Sequence, residues 1–178
     1  MICIKKITDE DFGITSIKMV NPRQRFGARG IVFNDGKIAI LNKQLKNEYK
    51  LVGGGIETDE DPANAFQREV LEETGCEIKI IDFLGITEEY KSQDNFRQTS
   101  YVYVANVIND NGNVNFTQKE IDEGSRLLWL DINEALKLIK ESESKLVSSQ
   151  YESVYHTKFI VRRDFEILKY YIDNYLKK

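Results

Sequence analysis

The chain has 178 residues, with 25 Lys and Arg against 29 Asp and Glu for a formal net charge of −4; this suits one domain with a sizeable core and excludes an overall basic field for general nucleic-acid binding. Its two cysteines, Cys3 and Cys76, form no CxxC or zinc-like pair, and its single histidine, His156, rules out a site built on several histidines. No apolar run approaches the roughly 18–20 residues that span a bilayer, and the opening MICIKKITDEDFG is too charged for a signal peptide. The expectation is a cytoplasmic chain with no membrane attachment and no stable nucleic-acid partner, in which His156 is an ordinary surface or interface residue.

RFGARGIVF (25–33) and KIAILN (37–42) are apolar-rich runs around Asn34-Asp35-Gly36, a turn suited to positive backbone angles, and predict a β-hairpin. YKLV (49–52) leads into Gly53, Gly54 and Gly55, which predict a loop that a ligand can approach closely. Asp61 then offers an N-cap, Pro62 fits the first helical position, Ala63, Phe66 and Val70 make an apolar stripe, and Gly75 supplies a stop. Strands are predicted in EIKIIDFLGITEEY (77–90), QTSYVYVANVI (98–108) and SRLLWLDI (125–132). Helices follow in NEALKLIKES and through residues 158–176. Strands and helices lack the regular alternation of a doubly wound sheet, so the fold class expected is α/β, an α/β/α sandwich around a mixed β-sheet.

Within the first helix stands REVLEETG (68–75), where Glu69, Glu72 and Glu73 fall at i, i+3 and i+4 and share one face. Unrelieved carboxylates at roughly 5–6 Å repel by on the order of a few kcal/mol per pair, so something cationic should relieve them. Alone, an acidic pair on a helix is an ordinary solvated face. The wider spacing reverses that reading: GGGIETDEDPANAFQREVLEETGC (53–76) resembles the signature of the Nudix hydrolase family, with Gly54, Glu60, Arg68, Glu69, Glu72, Glu73 and Gly75 at its fixed positions and Val70 and Cys76 in its apolar slots. Val52 stands where the family often has proline, and Asp59 where glycine is usual.

The resemblance implies a Nudix-type hydrolase domain, set at residues 1–140, with a helical extension over 141–178 packed on the domain or on a dimer partner. It implies hydrolysis of a pyrophosphate linkage in a nucleoside diphosphate joined to a group X, a small-molecule nucleotide substrate, and Mg²⁺ or Mn²⁺ as cofactor. The metal ligands it implies are Glu69, Glu72, Glu73 and a backbone carbonyl of Gly54, hard oxygen donors of the kind such cations prefer. Arg68 is expected to orient the acids through its guanidinium fork. The general base is expected at Glu120, with Glu123 and Glu69 as alternatives, and Arg25, Arg29, Arg97 and Tyr101 are the candidate substrate contacts. The proline that marks an ADP-ribose subgroup is absent, since Pro22 and Pro62 are the only prolines, and Tyr90 comes slightly early for the tyrosine of a dinucleoside polyphosphate subgroup. The alternative is a non-catalytic Nudix domain that senses a nucleotide and regulates a partner. Val161, Phe165, Leu168, Ile172 and Tyr175 form one apolar seam on the last helix, which predicts an interface, either with the chain's own sheet or in a homodimer.

Overall fold

The computed structural model describes residues 1–177. In chain order the elements are β1 (Cys3–Ile7), β2 (Arg23–Asn34), β3 (Lys37–Lys43), β4 (Glu48–Gly55), α1 (Pro62–Thr74), β5 (Cys76–Lys91), β6 (Phe96–Asp110), α2 (Gln118–Asp122), β7 (Ser125–Leu130), α3 (Ile132–Ser142) and α4 (Val154–Tyr171). The predicted turn forms: Asp35 at φ 48 and Gly36 at φ 75 reverse the chain so that Asn34 pairs with Lys37 and Phe33 with Ile38. Seven strands make one sheet in the order β1-β5-β6-β2-β4-β3-β7. β1 with β5 and β2 with β6 are parallel, and the remaining pairs are antiparallel, so the sheet is mixed.

Alternation along the strands divides the core in two. Ala28, Val32, Leu41, Val52, Tyr103 and Ala105 face α1, where Ala65, Phe66 and Val70 cover them. Ile31, Ile40, Leu51, Val102 and Val104 face the other way, against Ile132, Ala135 and Ile139 of α3 and Val161, Ile167 and Leu168 of α4. The result is the expected α/β/α sandwich. The apolar seam of the last helix is therefore covered by the chain's own sheet, with Val161 and Leu168 fully buried; only its end, Tyr175, is largely exposed. Among the described residues no helix is long and apolar enough to cross a membrane.

Three elements differ from expectation. Gly53–Gly55 are not a loop but the end of β4, laddered to β2 with Gly53 opposite Arg29 and Gly54 opposite Ala28. Their lack of side chains serves close packing instead: a Cβ on Gly54 would strike the Glu69 carboxylate, and one on Gly55 would meet the Arg25 guanidinium at 2.9 Å. β1 went unread because CIKKI is a short, lysine-bearing edge strand, a composition that protects an edge without looking like a strand. α2 also went unread, although Thr117 and Glu120 form a reciprocal capping box that its sequence could have disclosed.

Candidate active site

α1 delivers the acids because its ends are fixed. The Asp61 carboxylate accepts from Ala63 N at 2.8 Å, Pro62 occupies the first turn, and Gly75 closes the helix at φ 72. With Phe66 and Val70 turned into the core, Glu69 and Glu73 point along the helix flank toward the glycine end of β4. Asp59, standing in the glycine position of the resemblance, sits at φ 63, which explains why glycine is usual there and why an Asp can replace it.

Arg68 organises this wall. Its Nε and Nη2 donate to the two Glu60 oxygens at 2.8 and 2.9 Å, Nη2 also donates to Gly55 O at 2.9 Å, and Nη1 donates to Glu69 at 2.9 Å. Glu72, more exposed, lies 3.6 Å from the same Nη1. Hydrogen bonding from Arg68 holds the Glu60 carboxyl down at about 2. Glu73 is buried and accepts from Gly53 N–H at 2.6 Å and from Lys50 Nζ at 3.2 Å. Burial pushes its carboxyl up to about 7 against the pull of Lys50 and of that N–H. Lys50 is the cation that the acid cluster demanded and that the sequence reading missed.

Glu69, Glu73 and the three glycines open onto a cavity of ≈ 190 Å³ that Glu120 also lines. Glu120 Oε2 accepts from Thr117 N and Oγ1, both at 2.8 Å, so the capping box fixes its carboxylate at the cavity wall. Glu123 is not brought to this cavity. It is buried, with Lys43 Nζ at 2.7 Å and Ser149 Oγ donating at 2.7 Å, an arrangement that ties α2 to β3. Of the four substrate candidates, Arg25 and Arg29 line the cavity. Arg97 instead pairs with Glu88 and lies over the Tyr90 ring at 5.0 Å, and Tyr101 lines a separate groove beside Phe26 and Ile56. Tyr90 is thereby committed to a structural stack.

The remaining wall comes from α4, and little of it was foreseen. His156 is not an ordinary surface residue: it lines the cavity half-buried, with Lys91 Nζ 3.2 Å from its Nε2 and Asp94 3.5 Å from its Nδ1. Burial and then Lys91 lower its pKa, so the ring is neutral at pH 7. Arg163, fully buried, donates to Asp164 at 2.8 Å and to Glu89 at 3.0 Å, while Asp164 also accepts from Leu51 N at 2.9 Å and lies 3.9 Å from Arg29. Burial, reinforced by the like charge of Arg163, lowers Arg29 to about 10. Arg29 Nε and Arg163 Nη2 find no hydrogen-bond partner among the described residues. A buried donor left unmatched costs roughly 1–3 kcal/mol, so these two atoms call for an acceptor.

Whether the box fits a divalent cation is decided by donor chemistry. Glu69, Glu73 and Gly53–Gly55 line one cavity and offer hard oxygen donors, Glu72 stands one turn along α1 from Glu69 outside that lining, and the costly burial of Glu73 favours a cationic neighbour. The residues fit. In the arrangement described, Lys50 and Arg68 hold the countercharge, and no three acidic, His or Cys side chains among the described residues converge on a single point.

The sequence pattern that defines the NUDIX domain matches residues 23–150. The human protein "Nucleoside diphosphate-linked moiety X motif 6" is 30% identical over 115 residues, covering 62% of this chain and 35% of that protein. "Diphosphoinositol polyphosphate phosphohydrolase 2" of Rattus norvegicus is 28% identical over 106 residues, covering 60% of this chain and 55% of that protein. The chain thus spans about a third to about half the length of these curated relatives. Among solved structures, that of a UDP-X diphosphatase superposes with a TM-score of 0.55 at 19% identity, covering 88% of this chain and 66% of that one, a likeness of fold.

Proposed function

The chain belongs to the NUDIX family, and on that premise we propose that it is a metal-dependent hydrolase cleaving a pyrophosphate linkage in a nucleoside diphosphate joined to a group X. The observation that carries this is convergence: Glu69 and Glu73 of α1, the glycines of β4 and Glu120 of α2 line one cavity. Glu69, Glu72, Glu73 and the Gly54 carbonyl would hold Mg²⁺ or Mn²⁺. That cation, when bound, neutralises diphosphate charge and makes water a stronger acid.

The chain's own residues supply the rest. Glu120 is the general base in this reading, a carboxylate anchored by Thr117 in the lining of the same cavity, and it takes the proton of the attacking water. Arg68 keeps Glu69 and the Gly55 carbonyl in register, and Arg25, exposed at the cavity rim, is free to meet a phosphate. One observation favours a second reading, a nucleotide sensor without turnover: Lys50 and Arg68 already satisfy the box acids. The experiment that separates them is phosphate release from a panel of nucleoside triphosphates, sugar nucleotides, ADP-ribose and dinucleoside polyphosphates, with Mg²⁺ or Mn²⁺ and with excess chelator. Turnover abolished by chelator is expected; binding without turnover on every compound replaces the hydrolase with the sensor. Normal turnover in Glu120→Gln hands the base to Glu69.

A further inference from the structure

The two arginines that each carry an unmatched buried donor line the same cavity as the box, and Arg163 belongs to α4, beyond the stretch shared with the family. We propose that Arg29 and Arg163, with Arg25 at the rim, seat a further phosphoryl group of the substrate beyond the diphosphate that is cleaved. The inference rests on the hydrolase reading and narrows its substrate class: a compound with a third phosphoryl group, whether in a chain or on X, is favoured over one whose X is neutral.

Charge supports the seat. Arg29 and Arg163, which line the cavity, and Lys91, which does not, are three buried cations facing two buried carboxylates, Glu89 and Asp164, so this network carries a surplus positive charge before Arg25 is added. Four of the five acids that also line the cavity have a cation of their own, Glu48 with Lys46 at 2.8 Å, Glu152 with Lys119 at 3.0 Å, Glu73 with Lys50 and Glu69 with Arg68, while Glu120 has none among the described residues. His156 adds no charge, since its ring is neutral. Two guanidinium groups of like charge share this floor, an arrangement that a bound anion relieves and that planar N–H forks suit for phosphate oxygens.

Position supports it as well. Arg29 stands opposite Gly53 in the β2–β4 ladder, and Gly53 N–H is the group that binds Glu73. Arg29, Arg163, Glu69 and Glu73 all line one cavity of ≈ 190 Å³, so a ligand at the box acids reaches the arginine floor without leaving it. A diphosphate held at the box therefore brings its next phosphoryl group over Arg29 and Arg163.

The test uses inorganic tripolyphosphate and pyrophosphate with the full chain and Mg²⁺, with phosphate release followed alongside, so that the diphosphate end is held at the box and binding is read before turnover. Calorimetry should show tripolyphosphate binding at least tenfold tighter than pyrophosphate, with that advantage lost in Arg25→Ala and in Arg163→Lys, which keeps the charge but not the fork. Because Arg163 is buried, its variant is checked for folding by circular dichroism; independently, the Nε–H resonances of Arg29 and Arg163 in the wild-type protein should shift on adding tripolyphosphate. Equal affinity for the two anions, or resonances that stay in place, overturns the proposal. Neither result touches the hydrolase reading, which stands or falls on metal-dependent turnover.

Discussion

The cavity is built from two walls made on opposite plans. The box wall draws most of its charges from residues 60–73, close in sequence, and leaves all of those but Glu73 partly open to water around Arg68, whose side chain is 27% exposed. The α4 wall draws Arg29, Glu89, Lys91, Arg163 and Asp164 from three elements far apart in sequence and buries all of them. Charges that stay wet are cheap to place and easy to move, which suits groups that must bind and release a cation and a substrate. Charges that are buried hold only while every partner is present, so they fix the distance between α4 and the sheet. The difference teaches that one wall is tuned for chemistry and the other for geometry.

The largest effect should come from the box wall. Glu73→Gln is expected to lower turnover by about 10²–10⁴-fold while the chain stays folded, because Gln still accepts from Gly53 N–H; steady-state rates with Mg²⁺ on the active member of the nucleotide panel measure it. Unchanged turnover would move the catalytic acids elsewhere. On the α4 wall the expected loss is one of stability. Asp164→Asn removes the charge that faces Arg163 and Arg29 and weakens the acceptor of Leu51 N–H, and breaking a buried pair in this way costs about 3–5 kcal/mol. Urea unfolding reads it directly, and a loss below about 1 kcal/mol would show that the network is not what holds α4.

The same contrast explains what could be read in the sequence. The helix carrying the box was legible to its ends, because Asp61, Pro62 and Gly75 act on neighbours a few residues away. The turn at Asp35-Gly36 was legible for the same reason. Lys50 lay three residues before the glycines, yet nothing local says that a lysine in a strand will meet Glu73. His156, Arg163 and Asp164 looked like members of an ordinary amphipathic helix, since their partners Lys91, Glu89 and Arg29 sit 65 or more residues away. Glu120 and Glu123 were equivalent by spacing; the capping box turns the first toward the cavity, and Lys43 claims the second.

Acid should cost the α4 wall more stability than the box, because the depressed carboxyl there is buried while Glu60 is partly open to water. Burial alone would raise the Glu89 carboxyl, but Lys91, Arg163 and Arg29 outweigh it and hold it at about 2, below its ordinary 4.5. A depressed carboxyl stabilises the fold above its unfolded pKa, and that contribution disappears as pH falls from 4.5 toward 2. At about 1.36 kcal/mol per pH unit of difference, the loss is on the order of 3 kcal/mol. Glu89→Gln should be less stable than wild type at pH 6 but should lose less on going to pH 3, as measured by urea midpoints. Equal losses in the two proteins would remove Glu89 from the acid response.

The smallest effect sharpens the contrast most. Arg68→Lys keeps a positive charge beside Glu60 and Glu69 but cannot reproduce a fork that bonds Glu60 twice while also reaching Gly55 O and Glu69. Partly exposed ion pairs contribute roughly 0.2–1 kcal/mol and are screened by salt, so unfolding stability should fall by no more than about 1 kcal/mol and the difference should shrink in 1 M salt. Turnover should fall further than stability, about tenfold, with KM nearly unchanged, because Glu69 is no longer held in one orientation while the arginine floor across the cavity still holds the substrate. A stability loss as large as that of Asp164→Asn, indifferent to salt, would mean that the box wall is as rigid a part of the scaffold as the α4 wall, and that its exposure to water is not what frees it for chemistry.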